Sequence, residues 1–363
     1  MTFSPILLED WFDEYQYEVK YDIAESGLKC INLKSVDLDL SEVIFRYGYH
    51  MGPPELRRII SKDYPNISHE QVMVTNGAIE ANFLATAALV KPGDHVVVEH
   101  PNYPQLYETP RALGCKVDFW HLRYEKNHVP EIDELERIIT NRTKLIITSH
   151  PNNPTGSMIT LDLFKKILDL VEDRNIYLLS DEIYRELCFT EPLPPAASLS
   201  SKTISTSSVS KLYGLPGVRI GWLVADQSIV QKARTIKEYI SICNTSLGEA
   251  IAKCVLKHKR NFLDKAKRLV KENYKIVEQW IKQRPDLEWI APSGGVVAFP
   301  KYSYNIPSTD LCRILIKEYK TMLVPGSCFG IENHFRIGFG GDATELRMGL
   351  QQVNKALDKM RQK

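Results

Sequence analysis

Ser208-Val209-Ser210-Lys211, followed by Gly214, Gly217, Arg219 and Gly221, concentrates groups that could do covalent chemistry. A lysine that is to form an imine needs a pocket that lowers its pKa, and nearby hydroxyls can hold an anion. The glycines let backbone pass close to a bulky ligand. By itself, SxSK in a serine-rich stretch reads as a surface turn, but other pieces accompany it. Asp181 ends the apolar run in LLSDEIY, where a carboxylate could pair with a protonated ring nitrogen and keep that ring an electron sink. In isolation it would read as a helix N-cap or a strand-end turn. Asn153 in NNPTG and Tyr184 in DEIY can both hydrogen-bond a phenolic oxygen on such a ring. Gly77-Ala78-Ile79 opens a helix directly after the VMVT run, so its free N–H groups and dipole suit a phosphate. Tyr103, in HPNYP, can stack on the ring or pack in the core.

The elements that must position these side chains are legible in the periodicity. Over residues 71–224, short β-branched runs (VMVT, HVVVEH, KLIITSH, IYLLSD, TISTSS, GWLVAD) alternate with helical periods such as GAIEANFLATAALV and DLFKKILDLVEDR. That alternation predicts βαβ units and an α/β fold with a mostly parallel sheet covered on both faces. PGD at 92–94 and PNNPTG at 151–156 supply turn chemistry at the strand edges, where an open α/β sheet places its ligands. Residues 227–283 are long, charged and helical, which predicts a connecting helix between domains. LEWIAPSGGVVAFPKY, TMLVPGS and HFRIGFGG then predict strands, and ATELRMGLQQVNKALDKM a closing helix, in a smaller α+β domain. The expected division is an N-terminal segment over the site (1–45), a large domain with its connecting helix (46–280) and a small domain (281–363).

Bulk composition narrows the partners. The 363 residues are 44% hydrophobic and 25% charged, enough to bury a large core. Lys plus Arg total 46 against 45 for Asp plus Glu, so no net field favours nucleic acid. The acidic start MTFSPILLEDWFDE lacks the basic and apolar regions of a signal peptide, and no stretch reaches ~18 uninterrupted apolar residues. A cytoplasmic protein with no membrane partner is therefore expected. Seven scattered cysteines without a CxxC pair, and nine histidines without ligand spacing, give no reason to expect a disulfide framework or a metal.

Taken in order, YxxxxGxxELR at 47–57, PGD, the PxY turn, NNPTG, DExY, SxSKxxGxxGxRxGW and a late RI resemble the fold-type I pyridoxal-phosphate (PLP) enzymes, the aspartate aminotransferase superfamily, over nearly the whole chain. The resemblance implies PLP as cofactor, Lys211 as its covalent lysine and Asp181 as partner of its ring nitrogen. It makes Asn153 and Tyr184 ligands of the phenolic oxygen, and Ser208, Ser210, Arg219 and the backbone of Gly77, Ala78 and Ile79 a phosphate cradle. Arg336 becomes the clamp for an amino-acid substrate's α-carboxylate, a task suited to a bidentate guanidinium. Tyr47 would reach the cofactor of a neighbouring subunit, so a homodimer is implied.

The reaction must be read from the substrate pocket. Ordinary members carry GxPDF-type or GxGxY-type segments near the start, whereas this chain has LLEDWFDEYQYEVKYDIAESG at 7–27. The LEDW opening, DIxxSG, LPGxRxGW, PSGGVxAFP at 292–300, LVPGxCFG at 323–330 and a terminal GFGG together look like capreomycidine synthase and its relatives, which handle arginine derivatives. Glu9, Asp10, Asp22 and Glu25, beside Gly27, are candidates to meet a guanidinium, although Asp10, Asp13, Glu14 and Glu18 also suit a solvated helix face. The expected activity is cyclodehydration of a hydroxyarginine, to a six-membered ring from a Cβ hydroxyl or a five-membered ring from a Cγ hydroxyl. An aminotransferase using a keto-acid acceptor and a PLP-dependent arginine oxidase stay open as alternatives, and DEIY reads like a plain transaminase.

Overall fold

Seven strands hydrogen-bond into one sheet in the order Val72–Thr75, Gly221–Val224, Thr203–Ser208, Tyr177–Asp181, Thr143–Ser149, His95–His100 and Lys116–His121. The computed structural model describes residues 2–361. Only Gly221–Val224 runs against its neighbours; the other paired strands are parallel. Because strand side chains alternate, Val96 and Val98 join Met73, Leu84 and Ile147 in a core on one face, while Val97 joins Ile146, Leu178 and Phe164 on the other. The helices Ala78–Leu89 and Gln227–Lys237 cover the first face, and Leu161–Arg174 the second. Coverage on both faces is why these strands read as nearly unbroken apolar runs. The architecture is the expected α/β fold of aspartate-aminotransferase type.

Register sets the position of the polar residues. Asp181 lies opposite Ser149 and Thr206, and Ser208 lies opposite Gly221, itself opposite Thr75. The carboxyl ends of the parallel strands thus meet along one edge, where sheets of this kind bind ligands.

One expectation needed correction, and one strand had gone unread. Residues 227–283 form three helices, Gln227–Lys237, Ser246–Lys257 and Lys259–Lys282, and not one connecting helix. Ile242 adopts φ 61°, a left-handed conformation that a β-branched residue cannot carry through a helix, and Thr245 then caps the next one at the Gly248 N–H. The strand Lys116–His121 had no clear signature, since it is a partly exposed edge paired on one side only.

After the sheet, Val297–Ala298, Phe335–Gly338 and Val324–Pro325 make a small antiparallel sheet beside the helices Ser308–Tyr319 and Ala343–Arg361. The N-terminal segment joins this part. Helix α1 (Leu7–Tyr15) buries Leu8 and Trp11, and the Trp11 indole donates to the Leu323 carbonyl at 2.9 Å. Beyond it, Tyr21–Asp22 pairs in parallel with Thr321–Met322. Among the described residues, no helix is long and apolar enough to cross a membrane, and no cluster of side chains could hold a metal ion.

Candidate active site

A cavity of about 680 Å³ opens at that strand edge. Lys211, Asp181, Tyr184, Asn153, Ser208 and Ser210 line it from the sheet side, with Ala78, Ile79, Tyr103 and Arg219 around them. Glu9, Glu25 and Arg336 line it from the N-terminal segment and the small sheet. Residues far apart in sequence are therefore brought to one place by strand order.

Asp181 is the floor. Its carboxylate accepts from the Asn82 amide at 2.9 Å and from the Ile183 N–H at 3.1 Å, and among the described residues no cation pairs with it. Burial pushes its carboxyl up to about 6, because those two hydrogen bonds recover only part of the lost hydration. Such a group can pair with a cationic ring nitrogen. Asn82 went unnoticed in the sequence, although a lone amide within the apolar run ANFLATAAL was a usable signal. It also accepts from the Thr206 hydroxyl at 2.6 Å, which fixes its orientation.

Gly77 ends the neighbouring turn at φ 82°, where a side chain would meet the Arg219 guanidinium at 2.3 Å. Its absence lets Arg219 lie over the start of the Ala78–Leu89 helix, donating to the Asn76 carbonyl at 3.2 Å and the Pro216 carbonyl at 2.8 Å. Free helix N–H groups, a guanidinium and the Ser208 and Ser210 hydroxyls together can hold a dianion.

Lys211 lines the cavity, and its Nζ donates to Glu25 Oε1 at 2.6 Å. The Tyr184 hydroxyl donates to the Ser26 carbonyl at 2.5 Å. Arg336 is buried, donating to Asn153 Oδ1 and to the Ala24 carbonyl, each at 2.9 Å. Its Nε has no partner among the described residues, so the guanidinium retains capacity for a carboxylate.

The roof is α1. Glu9 accepts from the Tyr103 hydroxyl at 2.8 Å, and burial with this neighbouring carboxylate holds the phenol well above its usual pKa. Asp10, Asp13 and Gln16 line the cavity beside Glu9, while Glu14 and Glu18 face solvent. Asp22, expected at the substrate, is not part of the lining. Its Oδ1 accepts from the Ala24 N–H at 2.9 Å, and burial raises its carboxyl pKa. Gly27 packs between Glu25 and Lys211. Tyr47 lies on the outer surface, 82% exposed.

Comparison with known proteins shows the family and the fold. The profile of the aminotransferase class I and II family matches residues 15–353. Capreomycidine synthase of Streptomyces vinaceus is 32% identical over 96% of this chain and 93% of its own. A PLP-dependent aminotransferase from Streptococcus suis 89-1591 superposes with a TM-score of 0.95 at 30% identity, over 99% of both chains. The PLP-dependent cyclase OrfR superposes with a TM-score of 0.92 at 26% identity, over 99% of this chain and 98% of its own.

Proposed function

This chain belongs to the class I and II aminotransferase family of PLP-dependent enzymes, and from that premise we propose that it closes a hydroxylated arginine into a cyclic guanidino amino acid with loss of water. One observation carries the reading. The carboxylates of α1, Glu9 foremost, line the same cavity as the buried Arg336 guanidinium, so opposite charges await the two ends of an arginine-like ligand. The likeness to capreomycidine synthase, over 96% of this chain, and to OrfR, over 99% of it, supports the reading.

The residues present suit PLP: a buried carboxylate without a cation, a lysine within the cavity, and donors for a dianion beside a glycine turn. On this reading Lys211 holds the cofactor covalently and Asp181 keeps its ring nitrogen protonated. Asn153 and Tyr184 serve the phenolic oxygen and Tyr103 stacks on the ring, while Ser208, Ser210, Arg219 and the Gly77-Ala78-Ile79 backbone hold the phosphate. When bound, PLP supplies an electron sink for negative charge at the substrate's Cα. Arg336 fixes the α-carboxylate, Glu9 takes the guanidinium, and α1 keeps water out. Lys211 removes the Cα proton, the side-chain hydroxyl takes up a proton and departs as water, and a guanidine nitrogen closes on the side chain, giving up a proton as Lys211 returns one to Cα. A Cγ hydroxyl needs a further deprotonation at Cβ before it can leave.

The test is to incubate the enzyme with arginine, β-hydroxyarginine and γ-hydroxyarginine, with and without a keto acid, and to record product masses and oxygen uptake. The expected result is loss of one water from a hydroxyarginine with no keto acid present. A product that forms only as keto acid is consumed would establish amino-group transfer instead, the reading favoured by the likeness to the Streptococcus suis aminotransferase. Oxygen uptake would establish an oxidase.

A further inference from the structure

Glu25 differs from the other acids of the N-terminal segment in how it is held. The backbone on either side of it is tied to three separate parts of the molecule, the strand Phe335–Gly338, Tyr184 and Lys211. The Gly338 N–H donates to the Ile23 carbonyl at 2.8 Å, and Arg336 donates to the Ala24 carbonyl at 2.9 Å. The Tyr184 hydroxyl donates to Ser26, and the Leu28 N–H donates to the carbonyl of Lys211 itself at 2.9 Å. A side chain at Gly338 would lie 1.9 Å from the Glu25 carbonyl oxygen, so the segment passes that strand in direct backbone contact. At Gly27 a methyl group would already press on both Glu25 Oε1 (3.2 Å) and Lys211 Cδ (3.3 Å). The carboxylate is thereby delivered to the lysine by fixed backbone, at an Oε1 to Nζ distance of 2.6 Å.

We propose that Glu25 is the resident proton partner of Lys211. It holds the lysine nitrogen protonated while that nitrogen carries the cofactor, and it takes a proton from Nζ when the freed amine must act as a base. In that transfer the proton passes from Nζ to Oε1, leaving a neutral amine and a neutral carboxylic acid, so no other reactant is needed. A protonated nitrogen makes the lysine-bound cofactor open to attack by the substrate's amine, whereas proton abstraction needs the neutral lysine; one adjacent carboxylate serves both demands.

The electrostatic setting supports this pairing. Burial pushes the Glu25 carboxyl up, but the Lys211 ammonium and the Arg336 guanidinium outweigh it and hold the acid below its usual value. Burial pushes Lys211 down, while Glu25 and the Tyr184 phenol outweigh it and raise the lysine. Asp22 and Cys30 are the other titratable neighbours of Glu25, and Asp181 shares the cavity. The two partners titrate as a coupled pair. The proposal rests on Lys211 being the cofactor lysine and is independent of whether the product is cyclised or transaminated.

The test is the visible absorbance of the substrate-free holoenzyme as a function of pH. Removing a charge in contact with the nitrogen shifts its titration by about 1 to 3 pH units. Glu25→Gln is therefore expected to lose the long-wavelength, protonated form at least about one pH unit below wild type, and Glu25→Asp to recover part of the shift. The acid limb of the kcat/KM profile should move with it. Coincident titration curves for wild type and Glu25→Gln, at equal cofactor content and equal Tm, would overturn the proposal. Borohydride reduction followed by peptide mapping tests the premise separately, and a reduced cofactor on any other lysine would overturn both.

Discussion

Asp181 and Glu9 are carboxylates on opposite sides of one cavity, and their surroundings differ in nearly every physical respect. Asp181 ends a central strand, 6% exposed, with register, Asn82 and the Ile183 N–H fixing its position. Glu9 stands on the first turn of a nine-residue helix, exposed, with one hydrogen bond to Tyr103. The floor places its groups before any ligand arrives, at a cost in stability, which suits chemistry that must not vary. The roof is anchored by Leu8 and Trp11 and leaves its acids free to be exchanged, which suits the choice of substrate.

If that division is right, the floor should respond most strongly to mutation. Lys211→Ala is expected to abolish turnover and the borohydride-stable link, since in the proposed function the residue is both the covalent anchor and the proton carrier. Measured activity and trapping at wild-type levels would remove Lys211 from the floor. Next comes Asp181→Ala, with an intact fold by circular dichroism and a fall in kcat of at least about 100-fold, because the ring nitrogen loses the charge that keeps it protonated. A two- or three-fold loss would mean that another acid does this work.

How much of each region could be read in the sequence follows from the same contrast. Asp181 and Ser208 end strands, with Asn153 and Lys211 in the turns just beyond, and short apolar or β-branched runs closed by turn residues mark such ends directly. Asp22 closes a two-residue strand and Glu25 lies three residues on in an irregular stretch, too short a span for any period to say which way a side chain points. Asp22 turns back to cap the Ala24 N–H, whereas Glu25 reaches Lys211, and only the three-dimensional course of residues 23–28 decides between them. The split of residues 227–283 was hidden for a related reason. Lys237, a residue of ordinary helical character, turns its Nζ inward to the His50 and Val74 carbonyls and to Asn244, and that tie exists only in the folded chain.

The central claim is that the roof reads the guanidinium while the floor does the chemistry, and one comparison tests it most directly. The measurement is kcat/KM for the guanidino substrate and for its uncharged ureido counterpart, in wild type, Glu9→Gln and Asp22→Asn. Glu9 is itself exposed, and on this account a guanidinium bound beneath α1 desolvates the pair it makes. Removing one partner of such a pair costs on the order of 2–5 kcal/mol, so Glu9→Gln should lose about 30-fold or more on the guanidino substrate and little on the ureido one. Asp22→Asn, whose carboxylate is turned away, should keep the wild-type preference, and cofactor absorbance should be unchanged in both variants. An unchanged preference in Glu9→Gln, with normal cofactor binding, would contradict the account and return the acids of α1 to a solvated helix face.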